Sequence, residues 1–230
     1  MYLHGKVKEL IYGGRIILAL AECRMGDFIA EKYSSHRMLP LKIELMKAFH
    51  ETQSFKWDPD TGFTLASGLK SPFYVDCRSL MAYPGSRRLV GQLAHDALAG
   101  ATIDCLGGLE IGAITIATTI SDYCYGATPR RDWRTFVVRK QAKDHGLGKL
   151  IEGAVRSGDR ALIVDDVLTS GGSLLKAIAA ARQAGLVVSH ALVIVDRKEQ
   201  DGRARVEQAG VKLTSLLTIE DLTRQQGKKP

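Results

Sequence analysis

The chain has 230 residues, 45% of them hydrophobic, so it is long enough to bury a sizeable core and a globular protein is expected. Its 32 lysine and arginine residues outnumber 25 aspartate and glutamate residues; the resulting charge of +7 suits an anionic partner, although a solvated basic surface would look the same. The four cysteines lack the spacing of a zinc site and the density of a disulfide scaffold, and no apolar run is long enough to span a membrane, so we expect reduced thiols and a cytoplasmic location.

Residues 1–37 mix apolar, basic and glycine residues without a sustained period, whereas Met38–His50 has the spacing of an amphipathic helix. We therefore expect an N-terminal extension over 1–37, one globular domain over 38–222 and a polar tail over 223–230. The sequence leaves open whether the extension belongs to the mature protein or whether Met38 is the true start.

The segment from Phe63 to Arg78 contains two short extended runs separated by Gly68 and Pro72. Glycine and proline interrupt regular structure at these points, so the segment predicts a hairpin-like hood, placed mainly within residues 38–80. A helix is predicted after it, from Pro84 to Leu98.

Farther along the chain, short apolar runs alternate with helical stretches. The helices are predicted over 112–124 and 173–184, and the strands over Cys105–Leu106, Phe136–Val138, Ala161–Val164, Ala191–Val195 and Leu213–Thr218. This alternation is typical of an α/β fold, in which helices flank both faces of a central, mainly parallel sheet.

The most informative segment runs from Arg160 to Lys176 and predicts a strand, a loop and a helix in that order. Asp165 and Asp166 follow the strand directly, at the carboxyl end where open α/β sheets place their ligands. The small residues Thr169–Ser173 come next; their two glycines allow a ligand to approach the backbone, and the amides that open the helix face an anion. The segment therefore predicts a phosphate site.

Two adjacent carboxylates would repel an anionic ligand unless they served a cation or sugar hydroxyls, and Mg²⁺ and a ribose diol meet both needs. The alternative is an ordinary strand-to-helix turn in which Asp166 lies at the surface and Ser173 caps the helix. The order of all the parts favours the ligand site over that alternative.

The stretch from Arg139 to Lys149 concentrates four basic residues and a histidine directly after a predicted strand, and Gly146 and Gly148 would make it mobile. A cationic mobile loop beside a phosphate site suggests a lid that closes over a pyrophosphate. A solvated charged loop is the alternative.

Together these motifs resemble those of type I phosphoribosyltransferases, which use phosphoribosyl pyrophosphate (PRPP). The segment around Asp165 is similar to their PRPP-binding signature, and Arg139-Lys140-x-x-Lys143-x-His145-Gly146 is similar to the catalytic loop of the orotate phosphoribosyltransferases within that family. Phe63–Arg78 resembles the N-terminal motif of the same enzymes. The resemblance covers about Met38 to Leu222 and implies transfer of a phosphoribosyl group from PRPP to orotate, with Mg²⁺ as cofactor and a homodimer as the active form.

The resemblance also implies a role for each matching residue. Lys143 and His145 would bind the departing pyrophosphate as catalytic residues, Asp165 and Asp166 would hold the ribose hydroxyls close to the metal, and Arg139 would reach into the neighbouring subunit. Orotate would contact Phe73, Tyr74, Thr169 and Arg197. The PRPP contacts are completed by Glu110, Ile111, Gly112, Lys140, Val167, Leu168, Thr169, Ser170, Gly171, Gly172 and Ser173.

The sequence departs from the family pattern at two positions, because Ala66 and Gly112 stand where many orotate enzymes have lysine. Pyrophosphate affinity would then depend on the backbone or on Lys70, Lys140 and Lys143. Two other functions stay open: the same transfer to a purine or another pyrimidine, and a non-catalytic PRPP-sensing regulator that binds nucleic acid through the basic extension.

Overall fold

The computed structural model describes residues 11–12, 15–16, 25–64, 68, 70–141 and 150–224, with only the backbone of 11–12, 15–16 and 25–37. The chain divides into two compact units, Met1–Arg37 and Met38–Pro230. Strands β1 (Ile11–Tyr12) and β2 (Arg15–Ile16) pair antiparallel. Helix α1 (Met25–Glu51) contains the helix predicted over Met38–His50 and begins well before it, with Pro40 in its interior.

A hood of four short strands follows α1. The strands are β3 (Phe55–Trp57), β4 (Phe63–Thr64), β5 (Lys70–Ser71) and β6 (Phe73–Val75). β4 and β5 form an antiparallel hairpin, while β6 pairs antiparallel with β3, so two small sheets replace the single predicted hairpin. The sequence did not predict β3, because three residues are too few to show a period.

The central sheet has the strand order β12-β11-β10-β7-β8-β9. Its strands are β7 (Cys105–Leu109), β8 (Arg134–Val138), β9 (Ile151–Gly153), β10 (Arg160–Leu168), β11 (Val187–Asp196) and β12 (Lys212–Thr218). All neighbouring pairs are parallel except β8 and β9, which confirms the predicted mainly parallel sheet. The sequence did not predict β9, an edge strand that carries only one large apolar residue.

Helices cover both faces of this sheet, as predicted. They are α2 (Cys77–Ala82), α3 (Pro84–Ala97), α4 (Gly112–Gly126), α5 (Gly172–Gln183), α6 (Gly202–Gln208) and α7 (Ile219–Arg224). Along β10 the buried side chains alternate between the two cores: Leu162 and Val164 pack into one, Ala161 and Ile163 into the other. A strand that is apolar on both faces lies at the centre of a parallel sheet.

Two glycines allow β7 to pass close to its neighbours. A Cβ atom on Gly107 would lie 2.2 Å from the Phe136 carbonyl oxygen, and one on Gly108 would lie 2.1 Å from the Val164 carbonyl oxygen. No side chain fits at such distances, so the backbone of β7 is held at the spacing that these glycines allow.

Among the helices in the described residues, none is long and apolar enough to cross a lipid bilayer. Three cysteines, Cys77, Cys105 and Cys124, are buried free thiols. Burial raises the pKa of both Cys105 and Cys124 to about 11, which keeps them protonated and unreactive at neutral pH.

Candidate active site

A cavity of about 350 Å³ opens at the carboxyl edge of the central sheet, where the ends of β7 and β10 meet the segment after β8 and the start of α2. Its lining brings together three of the sequence-predicted groups: the acidic pair, the Glu110–Gly112 loop and Lys140. The lining residues are Val75, Asp76, Cys77, Arg78, Leu109, Glu110, Ile111, Gly112, Lys140, Asp165, Asp166, Val167 and Ser173.

The acidic pair lies inside β10, which extends four residues beyond the predicted strand end and carries both carboxylates into the cavity. The Asp165 carboxylate accepts a hydrogen bond from the Asp166 amide at 3.0 Å, and the Asp166 carboxylate accepts one from the Val167 amide at 2.8 Å. Burial, and next the negative charge of Asp166, raise the pKa of Asp165 to about 7. The site therefore strongly favours a positive charge or hydrogen-bond donors beside Asp165.

Asp104 and Asp159, near the opposite end of β10, show how a basic partner changes the pKa of a carboxylate. Asp104 accepts from the Arg160 guanidinium at 2.7 Å, and Asp159 pairs with Arg134 at 2.9 Å. Hydrogen bonds from Arg160 lower the pKa of Asp104, and those from Arg134 lower the pKa of Asp159. Within the described ranges no basic side chain forms an ion pair with Asp165, so its carboxylate is left for a ligand.

A second cavity, of about 290 Å³, adjoins the first and shares Asp165, Val167 and Ser173 with it. It is formed by the loop between β10 and α5, as the sequence predicted, and is lined by Asp165, Val167, Leu168, Thr169, Ser170, Gly171, Gly172, Ser173, Leu174 and Lys176. The backbone amides at the start of α5 face an anion placed in such a loop, and the hydroxyls around them add further donors.

The loop conformation depends on glycine at two positions. Gly171 has φ of +75°, in the left-handed region that favours glycine. Gly202, at the start of α6, lies so close that a Cβ atom on it would be 2.1 Å from the Thr169 carbonyl oxygen. Arg205 of the same helix donates to the Ser170 carbonyl at 2.8 Å. Helix α6, which the sequence did not predict, thus holds the backbone of the loop in place.

The Glu110–Gly112 loop lies between β7 and α4, and the Glu110 side chain accepts from the Lys140 amide at 2.8 Å. A Cβ atom on Gly112 would lie 3.3 Å from an Asp166 carboxylate oxygen, so a longer side chain here would enter the space over the acidic pair. The absent lysine at Gly112 therefore leaves this part of the cavity open. Lys70 does not replace the absent lysine in this part of the cavity, because its ammonium group donates a hydrogen bond to the Thr61 carbonyl in the hood.

The basic loop is described only at its beginning. Lys140 lines the cavity, whereas the Arg139 guanidinium contacts the Gln141 carbonyl at 3.3 Å and lies 3.6 Å from the Glu152 carboxylate. Lys143, His145 and Ala66 lie outside the described residues. Their predicted roles stay predictions.

On the base side, Arg197 follows β11, and its amide donates to the Leu168 carbonyl at 3.0 Å, next to Thr169. Its side chain is only 4% exposed and lies against the hood. Phe73 stacks on Phe55 with ring centroids 6.3 Å apart, and Tyr74 contacts Phe63 at 5.7 Å. Neither aromatic residue lines either cavity, and both rings pack on other aromatic side chains of the hood.

The sequence did not assign Asp76, Cys77 and Arg78 to the PRPP side. Within Phe63–Arg78 the resemblance implies base contacts for Phe73 and Tyr74, yet the last residues of this segment line the cavity beside Asp166. Asp76 caps α2 by accepting from the Arg78 and Ser79 amides, which turns the chain into the cavity. The signal was the Asp-x-Arg-Ser pattern of a helix start.

The donor groups of the same cavity limit how it could hold a metal ion. Among the described residues no group of three or more histidine, cysteine, aspartate or glutamate side chains could hold a metal ion. Two neighbouring carboxylates, one with a raised pKa, suit a hard cation that takes most of its oxygen ligands from a bound phosphate and from water. The residues present therefore fit Mg²⁺ that arrives with a phosphorylated ligand.

Residues 80–213 match the model of the phosphoribosyl transferase domain. The chain is 34% identical over 189 residues to the orotate phosphoribosyltransferase of Pyrococcus furiosus, which covers 81% of this chain and 98% of the relative. It is 40% identical over 165 residues to the Rhodopirellula baltica enzyme of the same name, and this match covers 69% of this chain and 84% of the relative. The crystal structure of Mycobacterium tuberculosis orotate phosphoribosyltransferase in complex with PRPP is similar with a TM-score of 0.64 and 31% identity, over 80% of this chain and 99% of that one.

Proposed function

The chain belongs to the orotate phosphoribosyltransferase family of the type I phosphoribosyltransferases, and on that premise we propose which of its residues perform each part of the reaction. The reaction transfers the 5-phosphoribosyl group of PRPP to orotate and gives orotidine 5-monophosphate and pyrophosphate, a step of pyrimidine biosynthesis. The observation that carries the assignment of residues is the pair of adjoining cavities, which share Asp165 and Ser173.

In this proposal PRPP spans both cavities. Its 5-phosphate is bound by the amides and hydroxyls of Thr169–Ser173, and its ribose hydroxyls donate to Asp165 and Asp166. The pyrophosphate lies against Glu110–Gly112 and Lys140, and Lys143 and His145 complete that contact. The two cavities share an acidic wall, which is where a ribose between two phosphate groups would lie.

The protein's contribution to the chemistry is positioning and charge stabilisation. The bond from the anomeric carbon to the pyrophosphate oxygen breaks, and a ring nitrogen of orotate bonds to that carbon as it releases its proton to solvent. Positive charge develops on the ribose in this step, as in other displacements at that carbon. Asp165 and Asp166 lie where they stabilise that charge, and the basic residues face the negative charge of the leaving group. No nucleophilic side chain is required.

Mg²⁺ is the cofactor of this proposal, and when bound it supplies positive charge that neutralises phosphate oxygens. Asp165 and Asp166 are the residues that would lie beside it. Removal of divalent cations with EDTA should stop turnover, and added Mg²⁺ should restore it, while Na⁺ at the same ionic strength should not.

Orotate is proposed to lie between the phosphate loop and the hood. The Arg197 guanidinium would bind its carboxylate, Thr169 would lie beside it, and Phe73 and Tyr74 would border the ring. The position of the Arg197 amide, bonded to the strand that leads into the phosphate loop, supports this arrangement.

The test of base identity is PRPP consumption with orotate, uracil, hypoxanthine, xanthine and adenine offered side by side. Only orotate should be used at a substantial rate. Turnover of a purine above that of orotate would overturn the base assignment, and PRPP binding without turnover of any base would favour a PRPP sensor instead.

A homodimer is also part of the proposal. Ile111, Ile114 and Tyr125 are large apolar residues that remain exposed at the start of α4 and along it, and this helix begins at the cavity. A second copy that covers this face would bring its basic loop close to the site, and Arg139 would then act in the neighbouring subunit.

Complementation tests the shared site. Variants that lack Arg139 or Asp165 should each be inactive alone, but a mixture after subunit exchange should regain roughly a quarter of the wild-type sites, as two-fold symmetry requires. An inactive mixture, with exchange verified by differently tagged subunits, would mean that Arg139 acts in its own chain or has no role in catalysis.

A further inference from the structure

Ser71 occupies a position that the family motif marks but that the proposed reaction leaves without a role. It lies in β5 of the hood, directly before Pro72 and the aromatic pair, and is only 4% exposed. Its hydroxyl contacts Arg197, which is 126 positions away in the sequence and follows a strand of the central sheet. The contact therefore links the hood to the sheet at the proposed orotate site.

Every hydrogen-bonding capacity of the Ser71 hydroxyl is used. The oxygen accepts from Nη2 of Arg197 at 2.6 Å and from the Phe73 amide at 3.2 Å, while the hydroxyl hydrogen is directed to Oε1 of Glu199 at 3.4 Å. A hydroxyl has one donor and two acceptor lone pairs, so these three contacts saturate it. Of the small residues, only serine and threonine offer this combination.

The Arg197 guanidinium is held along one edge. Its Nε donates to Oε2 of Glu199 at 3.0 Å, and Nη2 lies 3.2 Å from Oε1 of the same carboxylate and 3.5 Å from the Phe73 carbonyl. Among the described residues Nη1 has no hydrogen-bond partner. The contacts with Ser71 and Glu199 therefore fix the plane of the guanidinium and leave one nitrogen for a ligand.

The loop that carries this arginine is itself held in an uncommon conformation. Lys198, Gln200 and Asp201 all have φ between +51° and +53°, a region that non-glycine residues seldom adopt. Asp196, which is buried, accepts from the Lys198 amide at 2.8 Å and from Arg203 at 2.9 Å, and Lys198 pairs with Glu220 at 2.8 Å. Such strain persists only where the surroundings determine the conformation, and it is found most often at ligand sites.

We propose that Ser71 is a positioning residue of the orotate site, which orients the Arg197 guanidinium toward the carboxylate of the base and joins it to the hood strand that carries the aromatic pair. The inference rests on the proposed function, in which Arg197 binds that carboxylate. It goes further by assigning the orientation of Arg197 to a hydroxyl on the hood. An unheld guanidinium would have to be ordered when the base binds, at a cost in affinity.

The test compares Ser71→Ala and Ser71→Thr with Ser54→Ala. Ser54 is the matched control, because it is a fully buried hood serine whose hydroxyl contacts Thr52 rather than Arg197. Ser71→Ala should raise the KM for orotate roughly three- to tenfold, the usual effect of one hydrogen bond, without changing the KM for PRPP or kcat. Ser71→Thr should restore most of the loss, and Ser54→Ala should leave both KM values unchanged.

A double-mutant cycle with Arg197→Lys distinguishes failure of this inference from failure of the proposed function. If Arg197→Lys raises the KM for orotate and Ser71→Ala adds less than about twofold in that background, Ser71 acts through Arg197. If Arg197→Lys raises it but Ser71→Ala does not, or if Ser71→Ala raises the KM for PRPP as much as the KM for orotate, the positioning role is wrong and the function stands. An unchanged KM for orotate in Arg197→Lys would overturn the proposed role of Arg197 itself.

Discussion

On the phosphate side of the site, the ligand-facing groups are two carboxylates and a row of amides within one strand, loop and helix of the central sheet. On the base side, the Arg197 guanidinium is held by side chains of Ser71 and Glu199, one from the hood and one from its own loop. In the proposed site, PRPP would contact groups fixed by the backbone fold, whereas the base would contact groups fixed by a few side-chain interactions. Substitutions should therefore affect the two substrates separately.

The largest effect should come from Asp165→Asn combined with Asp166→Asn. Loss of both carboxylates should lower kcat/KM by roughly 100- to 1000-fold, the range for lost preorganised charge stabilisation. Because burial raises the pKa of Asp165, its charge destabilises the fold as pH rises from about 4 to about 7. Asp165→Asn should therefore keep or raise the melting temperature at pH 7.5. Near-normal turnover in the double variant would refute the site assignment.

Arg197→Ala tests the base side alone. It should weaken orotate binding by about 1.5–3 kcal/mol, the usual contribution of a hydrogen bond to a charged group, with PRPP binding little changed. Calorimetric titration of each substrate measures both. Since the variant removes the ion-pair partner of Glu199, the melting temperature must be followed as well. Equal loss for both ligands, or for neither, would show that Arg197 does not bind the carboxylate.

Gly202→Ala should weaken PRPP binding more than orotate binding, although Gly202 contacts neither substrate in the proposed site. The added methyl group would collide with the Thr169 carbonyl and displace the phosphate loop, so the KM for PRPP should rise about tenfold while orotate binding changes less. Gly100→Ala is the control, because a methyl group there meets no atom within 4 Å. A larger loss for orotate than for PRPP would contradict the division between the two sides.

The smallest effect should be on pH dependence. In the proposed site, ribose hydroxyls and Mg²⁺ would both favour a charged Asp165, whose pKa of about 7 in the free protein means that it is largely protonated below neutrality. PRPP affinity should fall by three- to tenfold from pH 7 to pH 6, and binding at pH 6.5 should release a proton, measurable by calorimetry in two buffers. Asp165→Asn should show only the release that PRPP itself contributes. No difference between the two proteins would contradict the raised pKa.

The sequence predicted the local structure of the proposed phosphate side, because its parts are contiguous: apolar strand, acidic pair, small loop and helix occur within Arg160–Lys176, and the structure keeps that order. It did not predict the side-chain contacts within the proposed base side. The contact between Ser71 and Arg197 joins distant segments, and strands as short as β3 and β9 have no period to detect. Helix α6 was also missed, although its first glycine determines the position of the phosphate loop.

The glycine pair of β7 has a practical meaning for protein engineering. Gly107 and Gly108 leave no room for any side chain between three neighbouring strands, so a library that randomises them would consist mainly of misfolded members. By contrast, the contacts among Ser71, Arg197 and Glu199 are made by their side chains, and three positions are few enough to randomise completely. Selection for a new acceptor base should therefore begin with those three codons and leave the strand untouched.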